Sequence, residues 1–209
     1  QYMKKIVIIG ANDFQNQLIL KAKEMGFETH VFAWQVGDVG EKIADYFYPI
    51  SIVEKEEILY KCQKIGIDGI CTIASDLAAV TVCFVAEKMN LCGNSIQTGL
   101  VSTNKHEMRK CFEKNGDPSP KSLLVEKVDD LKNEELHFPL IVKPLDRSGS
   151  RGITKVTQMS ELEPAIERAK EQGFEKKALV EEFAEGKEYS VEFVSWEGKH
   201  TFLAVTEKF

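Results

Sequence analysis

Residues 138–153 read Phe-Pro-Leu-Ile-Val-Lys-Pro-Leu-Asp-Arg-Ser-Gly-Ser-Arg-Gly-Ile, a short apolar strand followed by a loop of small and charged residues. Side chains alternate along a strand, so Leu140 and Val142 share one face, whereas Lys143 lies on the other. Lys143 therefore ends an apolar strand between two prolines, where a solvated surface lysine is not expected. An ammonium group presented there can neutralise a phosphate as a point charge.

The loop at residues 146–152 contains two glycines, two serines and two arginines. Small residues leave backbone N–H groups accessible, and such groups can bind phosphoryl oxygens. The loop lacks the Gly-x-x-x-x-Gly-Lys-Ser/Thr order and does not begin a helix, so it is not a Walker loop. A flap over a bound nucleotide is one interpretation, and a hairpin loop with a lysine extending to water is the other.

An acidic stretch follows another apolar strand at residues 178–192, which read Ala-Leu-Val-Glu-Glu-Phe-Ala-Glu-Gly-Lys-Glu-Tyr-Ser-Val-Glu. Adenine presents an amine donor and a ring-nitrogen acceptor on one edge. A carboxylate or carbonyl, followed two or three residues later by a backbone N–H, can pair with both. Glu188 is placed to accept hydrogen bonds from ribose hydroxyls, whereas Glu185 and Glu192 are interpreted as solvated acids.

The first hundred residues alternate strand and helix signals, which is typical of a parallel, doubly wound sheet. Residues 93–103 break this pattern and are predicted to be irregular. A helix over residues 104–115 follows, with Asn104 as its N-cap. In this first part we expect strands at 5–9, 28–33, 46–51 and 69–73, and helices at 14–25, 55–65 and 77–89.

A breaker cluster at residues 116–120 marks a boundary in the chain. The part after it has an α+β pattern, in which one helix interrupts a series of strands. That helix is expected from about residue 161 to 172, with a capping box formed by Ser160 and Glu163. Strands are expected at 121–125, 140–143, 153–156, 178–183, 189–195 and 201–205.

The turn Gly10-Ala-Asn-Asp-Phe-Gln15 occupies the position of a dinucleotide fingerprint. That fingerprint needs Gly-x-Gly-x-x-Gly and an acid about 20 residues later, and both are missing here, so NAD binding is disfavoured. Two interpretations remain, a tight strand-to-helix turn and a small polar pocket. The pocket would be formed by Asn12, Gln15 and the pair Ser75-Asp76.

Composition excludes several classes of protein. The 209 residues are 43% apolar and carry a net charge of −6, which allows a core and disfavours nucleic-acid binding. No apolar run reaches the ~20 residues of a membrane helix, and no secretory signal is recognisable. The five cysteines lack a Cys-x-x-Cys pair, so we expect reduced, mostly buried thiols in a cytoplasmic protein and no structural zinc site.

Lys105 stands in the first turn of the helix capped by Asn104. The helix dipole disfavours a cation there, at a cost of about 0.3–1 kcal/mol, and an anionic ligand nearby would offset that cost. This helix, the Lys143 strand with its loop, and the acidic stretch at residues 178–192 follow one another in the chain. Together they resemble the ATP-grasp superfamily, which includes biotin carboxylase, carbamoyl-phosphate synthetase and D-alanine–D-alanine ligase. The resemblance covers nearly the whole chain and is carried by Gly10-Ala-Asn-x-x-Gln15, Asn104-Lys105-x-x-Met108-Arg109, Val142-Lys143-Pro144, Ser148–Gly152 and Val180–Ala184 with Gly186-x-Glu188.

The resemblance implies a role for each matching residue. Lys105 and Lys143 would contact phosphates, and the flap would close over them. Glu181 or the Glu182 carbonyl would meet the adenine amine, with the Ala184 N–H on the ring nitrogen and Glu188 on the ribose. Asn12, Gln15 and Asp76 are candidates for acceptor binding. The full expected ATP-binding set is Lys105, Lys143, Ser148, Gly149, Ser150, Arg151, Gly152, Glu181, Glu182, Phe183, Ala184 and Glu188.

The resemblance also implies an architecture and an activity. Residues 1–102 would form a Rossmann-like pre-ATP-grasp domain, 103–116 a linking helix, 117–184 the small ATP-grasp subdomain and 185–209 the beginning of the large one. The whole protein would use ATP and Mg²⁺ to join a carboxylate to an amine or another nucleophile through an acyl phosphate, in a carbamoyl-phosphate synthetase-like manner. A homodimer is possible.

The chain ends just after a strand, so we expect a fragment of a longer protein. The family's magnesium ligands would lie beyond Phe209, and the fragment is expected to be inactive. Two alternatives belong to other classes of protein. One is a nucleotide-sensing or scaffold module without catalysis, and the other is a nucleotide-sugar or dinucleotide binder that uses only the first domain.

Overall fold

The computed structural model describes residues 3–146 and 151–208. The chain divides into two compact units, Gln1–Pro118 (unit 1) and Ser119–Phe209 (unit 2). The division falls within the breaker cluster at residues 116–120.

Unit 1 contains a four-stranded parallel sheet, as the alternation of signals predicted. Its strand order is β3-β2-β1-β4, and every neighbouring pair is parallel. The central strands are five residues long and the outer ones three. The strands are β1 (Lys5–Ile9), β2 (Glu28–Phe32), β3 (Tyr46–Tyr48) and β4 (Gly69–Cys71).

Helices cover both faces of this sheet. Alternation along β1 sends Val7 and Ile9 into one apolar cluster with Ile58, and Ile8 into a second cluster with Ile19. This two-sided burial is why the central strands read as continuous apolar runs. The helices of unit 1 are α1 (Asp13–Glu24), α2 (Val39–Ile43), α3 (Lys55–Ile65), α4 (Asp76–Lys88), α5 (Ile96–Thr103) and α6 (Lys105–Asn115).

The prediction of an irregular segment at residues 93–103 is wrong, because residues 96–103 form α5. The Ser95 side chain caps this helix, and the Glu87 carboxylate accepts a hydrogen bond from the Ile96 N–H at 2.7 Å. A Cβ added at Gly99 would lie 3.1 Å from the Cβ of Cys83 on α4. The glycine thus permits a close approach of α5 to α4, and tertiary packing outweighs weak helix propensity.

Unit 2 contains a four-stranded antiparallel sheet with the order β5-β8-β6-β7. A separate antiparallel hairpin follows it. The parallel sheet of unit 1 and these antiparallel sheets confirm the predicted α/β fold class. The elements of unit 2 are β5 (Ser122–Val125), β6 (Leu140–Pro144), β7 (Thr154–Val156), α7 (Leu162–Gln172), β8 (Ala178–Glu182), β9 (Tyr189–Trp196) and β10 (Lys199–Glu207).

Helix α7 covers one face of the four-stranded sheet, where Leu162 and Ile166 pack with Leu140, Val142 and Val180. The predicted capping box is wrong. A 3-10 turn at Met159–Glu161 precedes the helix, and the Glu161 carboxylate accepts a hydrogen bond from the Thr157 N–H at 2.8 Å.

The prediction of mostly buried thiols holds for two of the five cysteines. Cys62 and Cys83 are buried, Cys71 and Cys111 are half-buried, and Cys92 is exposed. All five are free thiols. Among the described residues, no helix combines the length and the apolar character that crossing a bilayer requires.

Candidate functional site

The charged centre of unit 2 is an ion pair between Lys143 on β6 and Glu181 on β8. The Lys143 Nζ lies 2.5 Å from the Glu181 Oε2, and the two side chains are only 14% and 4% exposed. Strand register places both side chains on the sheet face opposite α7, because Ile141 is opposite Glu181 and lies two residues before Lys143. Two mostly buried charges are tolerated here because each compensates the other.

Lys155 lies on the same sheet face, since it is opposite Ile141 in the register of β6 and β7. Its Nζ lies 3.7 Å from the centroid of the Phe183 ring, a distance at which a cation is attracted to an aromatic face. We call the surface formed by Ile141, Lys143, Lys155, Glu181 and Phe183 the lysine face. It combines two ammonium groups, one carboxylate and an aromatic ring.

The two adjacent glutamates of the predicted adenine segment have different partners. Glu181 pairs with Lys143, whereas the Glu182 Oε2 accepts a hydrogen bond from the Lys121 N–H at 3.1 Å. The Phe183 N–H donates to the Pro139 carbonyl at 3.2 Å, which continues the β6 contact past the end of β8. Within the described part of the chain, the exposed Ala184 N–H has no hydrogen-bond acceptor. It can therefore donate to a ligand.

The loop between β6 and β7 is fixed at both ends by packing and hydrogen bonds. At its start, the Asp146 carboxylate accepts hydrogen bonds from the N–H groups of Phe174 and Glu175, both at 2.9 Å. At its end, Gly152 has a φ of +70°, and a Cβ there would lie 2.9 Å from the Pro144 ring. Arg151 is exposed. The predicted phosphate contacts Ser148, Gly149 and Ser150 lie outside the described residues.

Glu188, the predicted ribose acid, immediately precedes β9. Its carboxylate is bound by the Lys208 Nζ at 2.6 Å, and both side chains are more than half exposed. An exposed pair of this kind contributes little to stability, so the carboxylate can exchange its partner for a ligand hydroxyl.

Lys105 belongs to unit 1 and begins α6, as predicted. The Asn104 side chain accepts a hydrogen bond from the Glu107 N–H at 3.0 Å, which confirms Asn104 as the N-cap. The helix ends at Gly116, whose φ of +72° is a left-handed conformation that glycine adopts without strain.

The three predicted acceptor residues of unit 1 differ in accessibility. Asn12 and Asp76 are exposed, whereas Gln15 is buried. The Gln15 Nε2 donates to the Ile73 carbonyl at 2.7 Å, and its Oε1 accepts from the Asn12 N–H at 3.2 Å. Gln15 therefore joins the turn after β1 to the turn after β4, and acceptor binding by these residues stays a prediction.

Two residues of unit 2 had no role assigned from the sequence. Asp146 fixes the start of the β6–β7 loop, and Lys155 contacts Phe183. The role of Asp146 could have been predicted, because an acid directly precedes a loop of small residues. The contact of Lys155 depends on strand register, which leaves no local pattern in the sequence.

Among the described residues, no group of three or more His, Cys, Asp and Glu side chains lies close enough together to hold a metal ion. We therefore assign no magnesium ligand within residues 3–146 and 151–208. The described residues of unit 2 do offer groups that fit a nucleotide. These are the mostly buried Lys143 ammonium group, the exposed Lys155, the buried Glu181 carboxylate and the Ala184 N–H.

Known proteins are similar to this chain in sequence. Residues 136–209 match the family described as the ATP-grasp domain. Formate-dependent phosphoribosylglycinamide formyltransferase of Wolinella succinogenes is 25% identical over 186 residues, covering 86% of this chain and 47% of that protein. D-alanine–D-alanine ligase of Flavobacterium psychrophilum is 27% identical over 205 residues, covering 91% and 60%. The chain thus spans about half the length of these relatives.

Solved structures share the fold over the whole chain. L-amino acid ligase from Bacillus licheniformis superposes with a TM-score of 0.81 at 23% identity, covering 100% of this chain and 53% of that one. The biotin carboxylase domain of Hydrogenobacter thermophilus 2-oxoglutarate carboxylase, solved with MgADP and bicarbonate, has a TM-score of 0.74 at 20% identity over 92% and 47%. Residues 136–209 therefore carry the ATP-grasp domain, and the chain as a whole has the fold of these solved structures.

Proposed function

We propose that this chain is the ATP-binding part of an ATP-dependent ligase that joins a carboxylate to an amine or another nucleophile. The observation that carries the proposal is the lysine face, where the mostly buried Lys143 ammonium group is held against Glu181 inside the matched ATP-grasp domain. A mostly buried cation that pairs with a single carboxylate among the described residues is well suited to a polyanionic ligand.

The nucleotide would use the Ala184 N–H, which has no acceptor among the described residues, and would exchange partners with several paired groups. The Ala184 N–H would donate to an adenine ring nitrogen, and the preceding hinge at Glu181 and Glu182 would accept from the adenine amine. Lys143 would bind a phosphate oxygen, exchanging part of its contact with Glu181. Glu188 would accept from the ribose, and the phosphate contact that the resemblance implies for Lys105 stays a prediction.

The proposed reaction has two steps that balance. The terminal phosphoryl group of ATP passes to a carboxylate oxygen, giving an acyl phosphate and ADP. The nucleophile then forms a bond to the acyl carbon, and phosphate leaves. Mg²⁺, when bound with ATP, would neutralise charge on the transferring phosphoryl group. Support comes from the ligase among the relatives and from the MgADP held by a protein of the same fold.

Several finer expectations stay predictions. They are the carbamoyl-phosphate synthetase-like subgroup, a homodimeric state, a cytoplasmic location, and the absence of turnover by these 209 residues. The relatives described above include both a formyltransferase and an amino-acid ligase, so they support the broad reaction class.

Calorimetric titration of the chain with MgATP tests the proposal. We expect saturable binding, and Lys143→Ala should weaken it at least about tenfold, since a charge-assisted contact to phosphate is worth about 1.5–3 kcal/mol. Lys132→Ala is the matched control, because Lys132 is an exposed lysine of unit 2 paired with Asp129. Equal affinity of the Lys143→Ala variant and the control would overturn the assignment.

A further inference from the structure

Ser122 on β5 lies on the same sheet face as the ion pair between Lys143 and Glu181. In the register of β5 and β8 it is directly opposite Glu181, and Glu181 is in turn opposite Ile141 on β6. Directly opposite residues of an antiparallel pair project from the same face of the sheet. The next residue, Leu123, packs on the other face against the core beneath α7. Ser122 therefore borders the lysine face on the side of β8 away from Lys143.

The Ser122 hydroxyl oxygen is buried and has no hydrogen-bond partner within residues 3–146 and 151–208. Buried hydroxyl groups in folded proteins are nearly always hydrogen-bonded, because an unpaired one gives up its contacts with water and gains none in return. No contact in the described part of the chain therefore accounts for a serine at this position. A partner that moves when a ligand binds would account for it.

The strand order makes Glu181 such a partner. Strand β8 lies between β5 and β6, so the Glu181 carboxylate has Ser122 on one side and Lys143 on the other. In the structure it is turned to β6, where its Oε2 contacts the Lys143 Nζ at 2.5 Å. The Cβ atoms of directly opposite residues are about 4.5–5.5 Å apart, a separation that rotation of a serine and a glutamate side chain can close.

Phosphate binding would change the surroundings of Glu181. The proposed function has Lys143 bind a phosphate oxygen, which withdraws charge compensation from a carboxylate that is only 4% exposed. A buried carboxylate that loses its cation is strongly destabilised unless another donor replaces it. The Ser122 hydroxyl is a donor on the same face that is already buried. A hydrogen bond from it to an ionised acceptor is also stronger than one between neutral groups.

We propose that Ser122 is a positioning residue of the nucleotide site, whose hydroxyl donates to Glu181 when Lys143 engages a phosphate. The inference rests on the proposed function and deepens it. Ser122 does not contact the nucleotide. It holds the Glu181 carboxylate ionised and in place from the β5 side, and the second carboxylate oxygen stays available to the adenine amine. Phosphate binding at Lys143 and base binding at Glu181 are thereby compatible on one buried surface.

Competition calorimetry with MgATP and adenosine tests this role on the full chain. Adenosine has the same base and ribose but no phosphate, so it leaves Lys143 paired with Glu181. Ser122→Ala should weaken MgATP binding about tenfold, the size expected for one hydrogen bond to a charged group, and should leave adenosine binding within about twofold of the parent. A residue with a merely structural role would change both affinities alike.

Ser160→Ala is the matched control, because it removes the same hydroxyl group from an exposed serine of unit 2. This variant should bind MgATP and adenosine as the parent does.

Urea denaturation tests the same contact without a nucleotide. In a Trp34→Phe background, the fluorescence of Trp196 reports on unit 2. Lys143→Met takes the cation away from Glu181, as a phosphate would, and the carboxylate then turns to Ser122. Ser122→Ala should leave the urea midpoint unchanged or raise it when Lys143 is present, since the hydroxyl has no partner among the described residues. In the Lys143→Met background, the same substitution should lower the midpoint.

The positioning role is overturned by unchanged MgATP affinity of the Ser122→Ala variant, or by equal weakening of MgATP and adenosine. It is also overturned if Ser122→Ala shifts the urea midpoint equally with and without Lys143. These results leave the proposed function standing as long as MgATP binding depends on Lys143. If the parent chain does not bind MgATP, or binds it equally well as the Lys143→Ala variant, the proposed function fails and the positioning role fails with it.

Discussion

The lysine face of unit 2 and the loops that follow β1, β2 and β4 in unit 1 present opposite chemistry to solvent. We call these loops, at residues 10–14, 33–38 and 72–77, the acceptor edge. The lysine face has two ammonium groups, of which Lys143 is mostly buried and paired with Glu181. The acceptor edge has no cation, three aspartates and a set of exposed apolar side chains. In the lysine face, the Lys143 ammonium group pairs with the Glu181 carboxylate on the adjacent strand. In the acceptor edge, the Gln15 side chain is hydrogen-bonded to the backbone of neighbouring loops.

This difference suits the two regions to ligands of opposite charge. A polyanionic nucleotide is favoured where a cation has been buried, and it is disfavoured where helix N-termini carry carboxylates. The two regions should therefore respond to mutation independently.

The largest expected effect comes from breaking the ion pair of the lysine face. Glu181→Ala leaves the Lys143 ammonium group mostly buried without its carboxylate, so we expect unit 2 to lose about 3–5 kcal/mol of its free energy of unfolding. Urea denaturation of a Trp34→Phe background, followed by Trp196 fluorescence, measures this loss. The double variant Lys143→Met/Glu181→Leu removes both charges and should recover most of the stability. Failure of the double variant to recover would show that the pair contributes through more than charge compensation.

A smaller effect is expected at the acceptor edge. Gln15→Leu leaves the Ile73 carbonyl and the Asn12 N–H without their side-chain partner, which should cost about 1–3 kcal/mol in unit 1. Urea denaturation followed by Trp34 fluorescence in a Trp196→Phe background measures this loss, while MgATP affinity in unit 2 should stay as in the parent. Leu18→Met on the same helix is a control of similar volume change. A loss of MgATP affinity in the Gln15→Leu variant would contradict the expectation that the two regions respond to mutation independently.

The smallest effect concerns the cysteines of unit 1, which differ in burial. Burial raises the pKa of the Cys62 thiol to about 12 and that of Cys71 to about 11. Since the thiolate is the reactive form, both stay protonated between pH 7 and pH 9. We expect a disulfide reagent to modify the exposed Cys92 first and Cys62 last in native protein. Mass spectrometry of peptides identifies the order, and early labelling of Cys62 would contradict its burial.

Much of the fold was predictable because its strands carry simple patterns. Lys5–Ile9 and Lys55–Ile65 were predicted with the bounds that the structure has, since a buried parallel strand is a continuous apolar run and a helix that stops at glycine is clearly delimited. Helix α5 was missed because Thr98, Gly99 and Thr103 are weak helix formers. Its stability comes from contact with α4, which only the tertiary structure contains.

The residues of the candidate site were predicted one by one, and the contacts between them were not predicted. Lys143 and Glu181 were each selected from local sequence, for a phosphate and for adenine. Their ion pair joins strands 38 residues apart and depends on register, which sequence patterns do not specify. The contact of Lys155 with Phe183 is hidden for the same reason. For Gln15 the sequence left two interpretations open, a tight turn and a polar pocket, and its buried amide connects two loops.

The β9–β10 hairpin has a consequence for handling the isolated chain. In the described residues its strands, eight and nine residues long, pair only with each other and expose Val191, Phe193, Phe202 and Val205. The outer edge of each strand thus offers unpaired backbone groups beside apolar side chains. This combination favours β-pairing with another copy of the chain. The three-residue outer strands of unit 1 are too short to do so. At high concentration the chain should therefore aggregate through the hairpin, and Val191→Lys should reduce this aggregation.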